Sequence, residues 1–246
     1  MSYLYIQDTF MTQAALPYQI FPLGDSAITI EFGNCIDEAI NNEVIARFNQ
    51  LRSEPIPYMI EAVPAYSSLT IYFDTASLLK KLNGRQIMSD WIKEQIAQRM
   101  SISTVLTTAN EKTIDIPVCY GKEFGPDLSV IANKKNIPVE EVIASHTAKI
   151  YKVFMLGFLP GFAYMGEVEE KIAISRKPQP VNVAAGSVGI AGKQTGIYPL
   201  ASPGGWQIIG RTPLKLFDAT KDDPCLLEAG DRIRFYSITK DEFENY

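Results

Sequence analysis

Between Tyr18 and Phe32, two short runs of alternating apolar and polar residues, YQIF and AITIEF, flank the turn residues Pro22 to Asp25. This pattern predicts a β-hairpin. Asp37 then stands where a helix cap is expected, and Ile40, Val44, Phe48 and Leu51 recur at helical spacing until Pro55 and Pro57 stop the helix. Tyr58 to Ala65 and Leu69 to Phe73 read as strands around a VPAYSS turn. Met88, Ile92, Ile96 and Met100 predict a second amphipathic helix after the Asn83-Gly84 break, with a further strand expected near Thr104 to Thr108. Asp25 and Asp74 read as turn residues. Two helices alternating with about four strands, without a long parallel run, predict an α+β sandwich of ferredoxin-like type.

The polar run from Thr107 to Thr113 lacks apolar periodicity and precedes a fresh strand, TIDIPVCYG, so it reads as a linker. The expected organisation is an N-terminal extension over 1–17, a first domain over 18–108 and a second over 112–240. Leu128 to Lys135 and Val139 to Thr147 predict two helices, split at Ile137-Pro138 because proline disfavours helix in the residue before it. After them come only strands and turns. The stretch from Lys152 to Arg211 is dense in glycine and aromatic residues, which predicts tight corners and exposed amides between short strands. The simplest reading is a small β-barrel with Phe158, Phe162, Tyr164, Tyr198 and Trp206 filling its interior.

Composition narrows the function. With Lys+Arg 23 against Asp+Glu 28, the net charge of −5 provides no basic field for nucleic acid. Cys35, Cys119 and Cys225 are isolated and odd in number, which argues against a disulfide framework or a thiolate zinc site and predicts reduced, cytoplasmic thiols. No run of about 18 apolar residues is present, and the N-terminal residues lack a basic region followed by an apolar core, so neither a membrane anchor nor export is expected.

GFLPGFAYMG, AAGSVGIAGKQTGIYP and SPGGWQIIGRTPLKLF, together with YQIFPLGDSAITIEFGNCID and VPAYSSLTIYFD upstream, carry a specific resemblance. They are similar to the 5-oxoprolinase B-subunit family, also called allophanate hydrolase subunit one, over nearly everything from Tyr18 to about Phe235. The family includes a bacterial inhibitor of a sensor histidine kinase. The resemblance implies a cyclophilin-like β-barrel for the second half, a fold name that does not itself imply prolyl isomerase activity. It also implies a non-autonomous component that acts with subunits A and C in the ATP-dependent conversion of 5-oxoproline to glutamate. Two other roles stay open: a regulator docking on a histidine kinase, and half of a carboxyltransferase unit in urea carboxylation.

His146 is the only histidine, which excludes a multi-histidine metal site; no metal site is expected. The resemblance implies a site role for it, because a histidine recurs in this HT…Y…GF context; His146 and Arg176, the one arginine of the expected pair that is present, are the catalytic candidates. Ser187 lacks the GxSxG surroundings of a hydrolase nucleophile, and neither a Walker lysine nor a dinucleotide fingerprint is present, so ATP would be used by the complex rather than by a motif in this chain. The residues favour a binding surface of backbone amides with Arg176, Gly186, Ser187, Lys193, Gln194, Thr195, Tyr198 and Arg211, suited to a small carboxylate, phosphate or amide. Gly157, Phe158, Pro160, Gly161, Phe162, Tyr164, Pro203, Gly204, Gly205 and Trp206 are expected to shape it. The chain departs from the family in one place. Where the family pattern has Pro-Arg twice, this sequence has Ser175-Arg176 and then KPQPVNV, so the second arginine has no counterpart.

Overall fold

The computed structural model describes residues 16–102 and 113–246. The linker run and the strand expected near Thr104 to Thr108 fall outside these residues, as does most of the N-terminal extension. The chain divides into two compact units. One holds the described residues up to Val63 and from Ser67 through the third helix; the other holds Pro64–Tyr66 and everything from Thr113 onward.

In the first unit, β1 (Gln19–Leu23) and β2 (Ala27–Glu31) form the expected hairpin, with Gln19 opposite Glu31 and Leu23 opposite Ala27. α1 (Glu38–Ser53) starts at Asp37, whose carboxylate accepts the Ile40 amide at 2.9 Å and so satisfies one of the orphan donors of the first turn. β3 (Met59–Pro64) and β4 (Ser68–Phe73) complete a sheet of order β1-β2-β4-β3. β4 lies between β2 and β3, which is the split βαβ arrangement, with the edge beside β2 supplied by β1. Asp74 does more than turn the chain: it caps a helix the periodicity did not announce, α2 (Thr75–Leu82), through the Ser77 amide. α3 (Met88–Met100) buries Ile92, Ile96 and Met100 as its spacing predicts. Arg47 on α1 is buried as well. It pairs with Glu43 at 2.7 Å and donates to the carbonyls of Arg99 and Ile102, satisfying acceptors left open where α3 ends.

The second unit is a closed barrel of seven strands. β5 (Thr113–Tyr120) is followed by α4 (Leu128–Lys135), α5 (Val139–Thr147), β6 (Ile150–Leu156) and β7 (Ala163–Gly166). Then come β8 (Val181–Val183), β9 (Ser187–Ala191), β10 (Gln194–Ile197), β11 (Ser202–Gly204), β12 (Gln207–Arg211), β13 (Arg232–Ser237) and α6 (Lys240–Glu244). The barrel runs β10-β7-β6-β13-β5-β12-β9 and closes through β9 on β10; β8 and β11 form a separate two-stranded ribbon. β13 runs parallel to β5, whereas the other barrel neighbours are antiparallel.

What fills the barrel differs from expectation. Its interior is aliphatic, built from Ile116, Val118, Val153, Met165, Val188, Ile190, Ile197, Ile209 and Ile233, with Tyr151 and Phe235. Phe162, Tyr198 and Trp206 belong to a second cluster, with Tyr164 and Leu159 packed against it. Strand alternation explains the separation. Thr195 and Met165 oppose each other and point inward, so Gln194, Gly196, Tyr164 and Gly166, one residue away on each strand, face outward. A β-carbon at Gly196 would come within 3.0 Å of the Trp206 ring and 3.2 Å of the Phe162 ring. The glycines of this stretch therefore leave a lane on the outside of the barrel into which the aromatic rings settle.

Candidate functional site

The outer face of β6, β7 and β10 carries the side chains with the most chemistry. Phe162 contacts Tyr164, Tyr198 and Trp206, with ring centroids 4.7, 5.0 and 5.4 Å apart. Phe158, exposed and in the left-handed region at φ 68°, stands edge-on to Phe162 and Tyr198. Arg176, also exposed, holds its guanidinium 6.0 Å from the centre of the Trp206 ring, a cation–π distance. Among the described residues Arg176 has no ion-pair partner. The neighbouring Lys177 is engaged instead: its ammonium pairs with Asp127, and its backbone amide donates to the Gly205 carbonyl at 2.7 Å. Asp127 also accepts the Ile208 amide at 2.7 Å, so the Arg176 segment is tied to β12 next to Trp206.

Three phenols lie within electrostatic reach of the guanidinium. Tyr66, which belongs to the barrel unit, packs against Phe154 and Tyr164 with centroids 5.4 and 6.3 Å apart, and its hydroxyl accepts from Nε2 of Gln194. Burial pushes the Tyr66 hydroxyl well above the ordinary phenol range, followed by the proximity of Tyr164, and Arg176 opposes the shift. Tyr164 is raised by burial against the same opposing charge. Tyr198 is raised by burial too, offset by the Trp206 backbone N–H and by Arg176. All three stay protonated at neutral pH. One cation, neutral hydroxyls and flat apolar walls together suit a small ring that bears a carboxylate.

The family model for the carboxyltransferase domain, subdomains C and D, matches residues 18–227. The 5-oxoprolinase B subunit from Bacillus subtilis (strain 168) is 43% identical over 231 residues, which is 93% of this chain and 96% of that protein. The chain belongs to the 5-oxoprolinase B-subunit family. The Escherichia coli O157:H7 member is 37% identical over 214 residues, covering 87% of this chain and 93% of its own. The crystal structure of TTHA0988 aligns with a TM-score of 0.73 at 32% identity, over 87% of this chain but only 40% of that one. Its agreement establishes the α+β unit followed by a barrel as the family's architecture.

Within this family fold, the residues singled out from sequence separate into four places. Arg176, Gln194, Tyr198, Phe158, Phe162, Tyr164, Gly204 and Trp206 converge on the aromatic corner, with Gly204 packed beneath the Tyr198 ring and Gly157 within reach of Tyr164. Gly205 joins through its carbonyl, as above. Pro160 and Pro203 are exposed at its margins, whereas Gly161, at φ 79°, packs against the backbone of Leu216. Gly186, Ser187 and Arg211 form a different corner, where Arg211 Nε donates to the Ala185 carbonyl at 2.7 Å and its guanidinium lies 5.9 Å from the Phe243 ring centre. Lys193 is exposed and paired with Glu170 at 3.2 Å.

His146 and Thr195 lie in the barrel interior, fully closed to solvent. The Tyr120 hydroxyl is 2.8 Å from Nδ1, Nε2 is 2.8 Å from Thr195 Oγ1, and that hydroxyl donates to the Gly189 carbonyl at 3.2 Å. With the Thr195 proton committed to the carbonyl, Nε2 carries the imidazole proton and Nδ1 accepts. Burial lowers the His146 pKa to about 3, so the ring is neutral. Neither side chain touches a surface a ligand reaches. The sequence places both at the site; in the structure Thr195 faces the barrel interior by strand alternation, opposite to Gln194, and His146 on α5 packs its ring against Tyr151 and Phe235.

Tyr66, Phe154, Asp127 and Lys177 are absent from the sequence-based expectation. The only sequence signal for Tyr66 is an aromatic residue at a turn, in VPAYSS. A separate cleft of about 320 Å³, lined by Cys119, Lys122, Phe124, Thr239 and Lys240 among others, contains none of the expected site residues. Among the described residues no cluster of three His, Cys, Asp or Glu could hold a metal, and no helix is long and apolar enough to cross a membrane.

Proposed function

We propose that the chain serves as the B component of an ATP-dependent 5-oxoprolinase, acting with subunits C and A, and that the aromatic corner receives 5-oxoproline. The supporting observation is Arg176: an exposed cation with no acidic partner among the described residues, set against Trp206 and within electrostatic reach of the protonated phenols of Tyr66, Tyr164 and Tyr198. Its guanidinium takes the carboxylate, and the Trp206, Tyr164 and Phe158 rings receive the flat lactam. Neutral hydroxyls nearby add donors without adding a competing anion. ATP is consumed by the assembled complex, and a corner open on one side is suited to completion by a partner chain.

The test is ATP-dependent 5-oxoproline turnover by subunits A and C reconstituted with and without this chain. Turnover that requires this chain supports the reading. Equal turnover without it, in a preparation where the other components are folded, overturns it.

A further inference from the structure

Cys119 stands on the outer side of β5, because Ile116, Val118 and the Tyr120 ring take the inward positions on either side of it, yet it is only 6% exposed. An outward-facing barrel residue is buried only where something covers it, and here two turns do. Gly121 and Lys122, at φ 72° and 48°, turn the chain back at the end of β5, and the Phe124 and Gly125 amides donate to the Gly121 carbonyl, each at 3.0 Å. On the other side Ile238 follows β13 and donates its amide to the Val118 carbonyl at 3.0 Å. The cleft of about 320 Å³ lies between these walls.

The walls are fixed before any ligand arrives. A β-carbon at Gly125 would overlap the Ile209 carbonyl, so the first turn lies hard against β12. Lys240 bridges the two walls through Glu123 at 2.8 Å, and Phe243 packs on Phe124 with ring centroids 4.6 Å apart. A preformed concavity of this size suits a small molecule.

Its lining selects the chemistry. Cys119, Phe124 and Ile238 are apolar or neutral, and Tyr120 offers only its ring, because its hydroxyl lies 2.8 Å from His146 Nδ1 inside the barrel. Burial, followed by the Glu123 carboxylate, raises the Cys119 thiol pKa, so no thiolate forms at neutral pH. The Thr239 hydroxyl is engaged by Glu242 at 2.9 Å. Of the charged groups lining the cleft, Lys240 and Glu123 pair with each other, whereas Lys122 has no ion-pair partner among the described residues. The charge left over is one cation at the rim of an apolar floor.

We propose that this cleft is a second ligand site, which binds a small carboxylate with an apolar body: Lys122 pairs with the carboxylate, and Cys119, Phe124 and Ile238 receive the chain. None of the residues of the aromatic corner lines it, so the proposal is independent of the functional reading above.

The experiment titrates the full chain, carrying isotope-labelled isoleucine methyl groups, with hexanoate, hexanol and hexylamine, three ligands that share a body and differ in charge. The Ile238 methyl resonances report occupancy. Hexanoate is expected to shift them saturably and to bind about 10-fold more tightly than hexanol, with hexylamine weaker still. Lys122→Gln is expected to remove most of the hexanoate advantage while hexanol binding is unchanged, and Lys122→Arg to retain it. Lys122 is exposed and unpaired, so neither substitution is expected to disturb the fold, and native methyl spectra of the variants check this. Absence of a saturable Ile238 shift with hexanoate overturns the proposal. Equal affinity for the three ligands, or hexanoate binding untouched by Lys122→Gln, overturns it as well.

Discussion

The imidazole Nε2 of His146 lies 2.8 Å from Oγ1 of Thr195, and neither side chain has measurable exposure to solvent. The pair ties α5 to β10, the strand that presents Gln194 on the opposite face. An imidazole held neutral in this way has a consequence for stability. Its folded pKa of about 3 is far below the ordinary 6.5, so below pH 6.5 the unfolded chain takes up a proton that the native state refuses. The stabilisation is complete above pH 6.5 and declines as pH falls toward 3. Between pH 7 and pH 5 the loss attributable to His146 is expected to be about 2 kcal/mol. Denaturant melts of wild type and His146→Gln across this range test it: the variant is expected to be less stable at pH 7 but flatter with pH. Parallel slopes would contradict a neutral buried imidazole.

Arg176→Ala is expected to lower kcat/KM for 5-oxoproline by roughly 10- to 150-fold, the equivalent of a charge-assisted bond worth about 1.5–3 kcal/mol. Thermal stability should hold, because the side chain is exposed and has no ion-pair partner among the described residues. Turnover unchanged within a few tenths of a kcal/mol in a stable variant would remove Arg176 from the site.

Asp127 is expected to matter through position. Its carboxylate holds both Lys177 and the Ile208 amide, so Asp127→Ala leaves a backbone donor and an ammonium without their acceptor. A stability loss of about 1–3 kcal/mol is expected, with KM rising as the Arg176 segment loosens from β12. Asp127→Asn retains an acceptor for the amide and should lose less. Melting curves and KM measured on the two variants distinguish these outcomes; equal behaviour of both with wild type would show that the tie contributes nothing.

At Gly196 an added methyl would crowd the Trp206 and Phe162 rings and the Ala163 carbonyl, at 3.0, 3.2 and 3.0 Å. Gly196→Ala should cost about 1–3 kcal/mol through overpacking and displace the indole. Trp206 emission and the 5-oxoproline KM are expected to change together. A variant with native emission and native KM would show that the aromatic corner tolerates the methyl.

Local chemistry was readable along the chain. The hairpin at Pro22 to Asp25, the Asp37 cap and the helices split at Ile137-Pro138 depend on turn residues, capping groups and periodicity, which act between residues a few positions apart. Of the residues named from the glycine and aromatic stretch, Arg176, Gln194, Tyr198 and Trp206 lie on one outer corner of the barrel. Other features depended on partners distant in sequence. Tyr66 joins Gln194 from 128 residues away, and no local pattern encodes that pairing. Whether Thr195 faces in and Gln194 out depends on strand register and barrel closure, and a one-residue slip would exchange them. Composition could therefore name the aromatic residues, but only the closed barrel decided that they line its outer face and that the single histidine is sealed inside.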